Sequence, residues 1–134
     1  MMNDAAAVLV VEDDASVREV LDMVFAQEPG IYYTVAAGGA NGMAKLQDGP
    51  PDVLLTDIIM PRVSGIDLIQ FARKRYPGIP VVAFSAKPVS DTNDLHQLIG
   101  GEVVCFVSKP LDLTALLDLV RTLAADRSWR KQAM

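Results

Sequence analysis

A doubly wound α/β fold, a (βα)5 sandwich with a five-stranded parallel sheet between two helical layers, is predicted by three features of this 134-residue chain. Five strand-sized runs rich in Val, Ile, Leu and aromatic residues recur along it: Ala6 to Val11, Tyr32 to Ala36, Val53 to Thr56, Pro80 to Phe84 and Val103 to Val107. Within these runs the apolar residues stand on consecutive positions, which suits strands covered on both faces of a parallel sheet. Between the runs the period changes to that of helices.

The elements follow in order. Val17, Val20, Leu21, Val24 and Phe25 mark the first helix by their i, i+3, i+4, i+7, i+8 spacing. Gly38 to Asp48 forms a weaker second helix that ends in DGPP, where proline prevents continuation. Leu68, Ile69, Ala72 and Tyr76 stripe the third, entered through MPRVSG, in which Pro61 stops the strand, Ser64 is a candidate N-cap and Gly65 permits the turn. The segment SAKPVSDTNDLHQLIGG holds few good helix formers, so a short fourth helix over Asp91 to Ile99, opened by an Asp or Ser cap, is expected to be the most mobile element. Leu113, Leu116, Leu117 and Val120 mark the last helix. Right-handed crossovers place helices on both faces. The strand order 2-1-3-4-5 is taken by analogy with flavodoxin-like sheets, and it makes strands 1 and 3 neighbours.

Composition is that of one ordinary globular domain, with 51% apolar and 22% charged residues. The domain is read as residues 1-125, followed by the polar stretch 126-134, DRSWRKQAM, as a tail or linker stump in which Trp129 is a docked or exposed anchor. A chain of this size buries roughly two thirds of its unfolded surface, so its core needs no disulfide or structural metal. The single Cys105, within VVCFV, is expected to be a buried, inert thiol. Seventeen acidic against 12 basic residues, a net charge of -5, argue against a phosphate-tracking nucleic-acid surface. Apolar runs such as AAAVLVV fall far short of the roughly 20 residues of a membrane span, and no basic stretch precedes the first of them. The reading is therefore cytoplasmic, with no membrane partner.

Ligands of doubly wound sheets bind at the carboxyl ends of the strands. Glu12 and Asp13 follow strand 1 and Asp57 follows strand 3, so three carboxylates share one crevice. Such crowding is unfavourable because like charges repel, and it makes sense around a hard divalent cation, for which Mg2+ is the expected ion. Strand 4 ends in Phe84-Ser85-Ala86 and strand 5 in Ser108-Lys109-Pro110, adding a hydroxyl and an ammonium. A metal, a lysine and a directed hydroxyl stabilise a small dianion, and a carboxylate among them can be the nucleophile.

VLVVEDD, LLTDIIMPRVSG, VVAFSA and CFVSKP, in that order, resemble the receiver domains of two-component response regulators, from about Val8 to Leu123. The resemblance implies that Asp57 is the phosphoacceptor, that Glu12 and Asp13 hold Mg2+ (or Mn2+ in its place) together with the backbone carbonyl of Ile59, that Ser85 is the switch hydroxyl and that Lys109 binds the phosphoryl group. It also implies a cis Lys109-Pro110 bond that turns Lys109 into the site. His96, the only histidine, is read as a surface residue and not a phosphocarrier.

Two positions depart from the family's habit. Phe106 stands where many receivers carry Tyr, so a rotamer switch there must work through packing, with Phe106 swinging inward as Ser85 moves. Ile59 and Lys87 match the places that tune access of hydrolytic water, and the apolar Ile59 cannot orient water, which predicts slow self-dephosphorylation.

The expected function is a phosphorylation-activated switch. It is not an enzyme in the ordinary sense, although it catalyses its own phosphotransfer. Its phosphodonor is a sensor histidine kinase or a histidine phosphotransfer protein, and its output passes through the face built by the fourth helix, the fifth strand and the last helix. The output partner is undefined, and the resemblance admits a homodimer through that face. The competing reading is a phosphate-independent interaction module on the same fold. An enzyme or flavoprotein is disfavoured: no GxxxxGK[ST] is present, the loop after strand 1 is too acidic to cradle a phosphate, and EDDAS lacks the DxD arrangement of aspartate-dependent phosphohydrolases.

Overall fold

The computed structural model describes residues 5–60, 62–85, 105–108 and 112–133. In chain order these form β1 (Ala6–Val11), α1 (Ala15–Ala26), β2 (Ile31–Ala36), α2 (Gly39–Asp48), β3 (Val53–Asp57), α3 (Gly65–Arg75), β4 (Val81–Ser85), β5 (Cys105–Ser108), α4 (Leu113–Ala125) and α5 (Arg130–Ala133). The strands make one parallel sheet in the order β2-β1-β3-β4-β5, as expected.

The consecutive apolar positions supply two cores at once, because successive side chains of a strand point to opposite faces. Leu9, Val11, Leu54, Val81 and Ala83 pack with Leu46 of α2 and Leu68, Ile69 and Ala72 of α3. Val8, Val10, Val53, Leu55, Val82 and Phe84 pack with Leu21 and Phe25 of α1 and with Leu116, Val120 and Ala124 of α4. β2 departs from the expected double coverage: it is an edge strand, and Tyr32 is 67% exposed.

Helix starts follow from local hydrogen bonding. Asp14 caps α1 by accepting from the backbone N–H groups of Ser16 and Val17 at 2.8 and 3.2 Å. Ser64 and Asp67 close a reciprocal capping box on α3, and Asp112 caps α4. Tyr76, expected within the third helical stripe, is instead its C-cap residue, and its hydroxyl donates to the carbonyl of Leu46.

The stretch after Ala125 packs back onto the fold. Trp129 is buried in the core of the α2/α3 layer, although α4 belongs to the opposite layer, so the chain crosses the amino-terminal end of the sheet. Asp52 anchors this crossing: its carboxylate accepts from Arg130 Nη2 at 2.8 Å and from the backbone N–H of Ala7 at 2.8 Å, and Arg127 Nε lies 3.4 Å away. Among the described residues no helix is long and apolar enough to cross a membrane.

The expected helix over 91–99, with His96, lies outside the described residues, as do Lys87, Lys109, Pro110 and the first two residues of the fifth apolar run.

Candidate functional site

β1 and β3 lie side by side with Val11 opposite Thr56, so the residues that follow them meet at one edge of the sheet. Glu12 still extends the ladder, its N–H donating to the carbonyl of Ala36 at 3.2 Å, and it is fully buried. Asp13 is exposed. The turn between β1 and α1 is held from within α1: Arg18 Nη1 donates to the carbonyls of Glu12 and Asp13 at 3.0 and 2.9 Å. The N–H of Asp14 donates to Glu12 Oε2 at 3.1 Å, which orients that carboxylate.

Asp57 is the last residue of β3 rather than the first after it, and it is only 6% exposed. Its Oδ1 accepts from the backbone N–H of Ile59 at 3.3 Å. The following turn folds tightly back, with Ile58 N–H donating to the carbonyl of Phe84 and Gly65 N–H to the carbonyl of Ile58 at 3.1 and 2.8 Å. Gly65 permits this approach: a β-carbon there would lie 2.0 Å from the Asp57 carbonyl oxygen. Gly39, at the start of α2, stands equally close to Val63, its ideal β-carbon falling 1.9 Å from that residue's carbonyl oxygen.

The outcome is one cluster. Glu12, Asp13 and Asp57 each present a carboxylate oxygen within 4.8 Å of the other two. Opposite ligands of an octahedral Mg2+ stand about 4.2 Å apart, so small side-chain adjustments bring these three oxygens to a common ion. The donor set is all hard oxygen, and two of its members are buried, where a nearby positive charge is most needed. The residues present therefore fit a small divalent cation.

The remaining expected site residues lie on β4 and β5, in the turn after β3 or beyond the described residues. Ser85 is the last residue of β4, in register with Ser108 of β5, and Phe106 is in register with Ala83. The Ile59 side chain is 57% exposed. Lys87 and Lys109 lie outside the described residues. Two features escaped sequence reasoning. Arg62 takes a left-handed backbone, φ 67°, beside the cluster, and Gly39 buttresses the loop that carries it. Nothing in the local sequence marks a contact between residues this far apart.

The doubly wound sheet that carries this acidic triad finds counterparts among known proteins. The family model of the response regulator receiver domain matches residues 8–121. A probable transcriptional regulatory protein of Picosynechococcus is 34% identical over 131 residues, covering 91% of this chain and 50% of that protein. The DNA-binding transcriptional regulator NtrC of Escherichia coli is 34% identical over 113 residues, 84% of this chain and 24% of the relative. The crystal structure of a response regulator receiver protein from Pseudomonas putida superimposes with a TM-score of 0.74 at 31% identity, covering 88% of this chain and 97% of that one. This chain belongs to the response regulator receiver domain family. It spans half or less of the length of these curated relatives.

Proposed function

We propose that Asp57 accepts a phosphoryl group from a phosphohistidine on a sensor histidine kinase or a histidine phosphotransfer protein, and that the acyl phosphate controls a partner through the face built by the segment at 91–99, β5 and α4. The observation that carries this reading is the meeting of Glu12, Asp13 and Asp57 within 4.8 Å at the ends of β1 and β3. Glu12, Asp13, Asp57 and the backbone carbonyl of Ile59 would hold Mg2+. Bound there, the ion would offset negative charge on the carboxylates and on the phosphoryl oxygens.

The chain's own groups do the rest. Ionised Asp57 supplies the nucleophilic oxygen, and the Ile59 N–H on its Oδ1 holds the carboxylate in one orientation. The bond from phosphorus to the donor's imidazole nitrogen breaks as the bond to the Asp57 oxygen forms. Burial at 6% exposure limits the water that can hydrolyse the product. Lys109 would neutralise a phosphoryl oxygen, and Ser85 would donate a hydrogen bond to another and so move the β4 end toward it. Phe106, in register with Ala83 one strand away, would repack in response. Ile59 and Lys87 would set the lifetime of the acyl phosphate. The setting proposed for this switch is cytoplasmic.

The test is intact mass after incubation with a small phosphodonor and Mg2+, with Asp57→Asn and a chelated sample as controls. A single phosphoryl adduct lost in both controls supports the reading. No adduct under any condition leaves the phosphate-independent interaction module as the better account.

A further inference from the structure

Next to the acidic cluster lies an open cavity of about 280 Å3 lined by Asp13, Ala37, Gly38, Gly39, Asn41 and Arg62. Arg62 is its cationic wall, and it is the sole non-glycine residue with positive φ among the described residues. That conformation brings Cβ too close to the backbone and suits glycine far better than arginine. It persists because the residues that follow Arg62 are pinned. Val63 is pressed against Gly39, and Ser64 and Gly65 are held by the capping box of α3 and by contact with the Asp57 carbonyl. The exposed guanidinium makes no hydrogen bond or ion pair among the described residues, so its donors are available to a ligand.

We propose that Arg62 is a specificity-determining residue that recognises the carboxylate leaving group of small acyl phosphates, admitted through this cavity; this rests on the reading of Asp57 as phosphoacceptor. A planar guanidinium fits a carboxylate through two parallel hydrogen bonds. In the step, an ionised Asp57 oxygen forms the new bond to phosphorus while the bond between phosphorus and the acyl oxygen breaks. The electron pair leaves on that oxygen, no proton is required, and the carboxylate released is the group that Arg62 would meet. A phosphoramidate reacts at the same phosphorus but releases neutral ammonia, for which a guanidinium offers nothing. The small Ala37, Gly38 and Gly39 wall leaves room for a short acyl chain.

The experiment compares rates of phosphorylation by acetyl phosphate and by phosphoramidate, both with Mg2+, in the native protein, Arg62→Ala, Arg62→Gly and Arg62→Lys. Arg62→Gly relieves the backbone while removing the side chain, which separates recognition from strain. The expected result is a fall of about fivefold or more with acetyl phosphate in both truncations, partial recovery in Arg62→Lys, and phosphoramidate rates within about twofold of native. Equal losses with both donors, or no loss with either, would overturn the assignment. Absence of any adduct in the native protein would instead remove the phosphoacceptor reading itself, and the inference with it.

Discussion

Gly65 faces the backbone of Asp57 so closely that the carbonyl oxygen of Asp57 occupies the place where a side chain at 65 would begin, 2.0 Å from an ideal β-carbon. The turn after β3 can close, and the Asp57 carboxylate can be held by Ile59, only while residue 65 lacks a side chain. Gly65→Ala is expected to cost about 2 kcal/mol or more, because the obstacle is backbone and not a yielding side chain. It should also slow phosphorylation of Asp57 by displacing the carboxylate. Denaturant melts and the adduct assay, run on the same preparation, check both.

The opposite end of the sheet makes a separate prediction. Trp129 is packed against Gly78 and the α2/α3 core, with the Arg130 guanidinium 5.0 Å over its ring. Trp129→Ala should cost about 3 kcal/mol. Its indole Nε1 is buried without a hydrogen-bond partner, so Trp129→Phe, which deletes that donor, should cost far less, about 1 kcal/mol. Asp52→Ala should lose about 2 kcal/mol by leaving the Ala7 N–H unmatched and removing the carboxylate that Arg127 and Arg130 share. Thermal or urea unfolding of the three variants gives the ranking.

Three carboxylates within 4.8 Å repel one another when no cation lies between them. Asp13→Asn, at the exposed member, is therefore expected to raise Tm in chelator and to shrink the upward shift that Mg2+ produces. A melt with and without Mg2+ reads both effects, and a variant that keeps the full Mg2+ shift would remove Asp13 from the proposed ligand set.

Asp126 offers a pH test at the crossing segment. The N–H and hydroxyl of Ser128 donate to its carboxylate at 3.0 and 2.7 Å and hold its pKa below the ordinary aspartate range. A lowered folded-state pKa favours the folded state at neutral pH, and that contribution disappears as pH falls through the folded value. An NMR titration should show the Asp126 midpoint rising in Ser128→Ala, the backbone donor having the larger share and remaining in place.

Ile59 is exposed at the mouth of the site and its N–H is committed to Asp57. A polar group added at its side chain would face solvent and could orient an attacking water. The phosphorylated form of Ile59→Asn is expected to decay about tenfold faster than the native acyl phosphate, measured as loss of the phosphoryl mass with time.

How much of this was legible before the fold was known depended on whether the signal was local. Apolar runs, helical stripes and caps such as Ser64 lie within a few residues of what they determine, so the five strands and most helices could be placed, with Asp57 and Ser85 displaced by a single residue into their strands. Glu12, Asp13 and Asp57 could be gathered because the strand-end rule converts sequence position into spatial position. Edge exposure of β2 could not be read, since an edge and a central strand differ in neighbours rather than in composition.

By itself the sequence determined the order of the five strands and of helices α1 to α4 among the described residues, the two apolar faces of the sheet and the acidic residues at its strand ends, because hydrophobic period and capping act over a few residues. Only the tertiary structure decided that Arg130 reaches across 78 positions to Asp52, that Gly39 carries the Val63 turn, and that Arg62 is held left-handed beside Asp13. Those relationships are close contacts between segments remote in the chain, and their energies exist only once the sheet has brought the segments together.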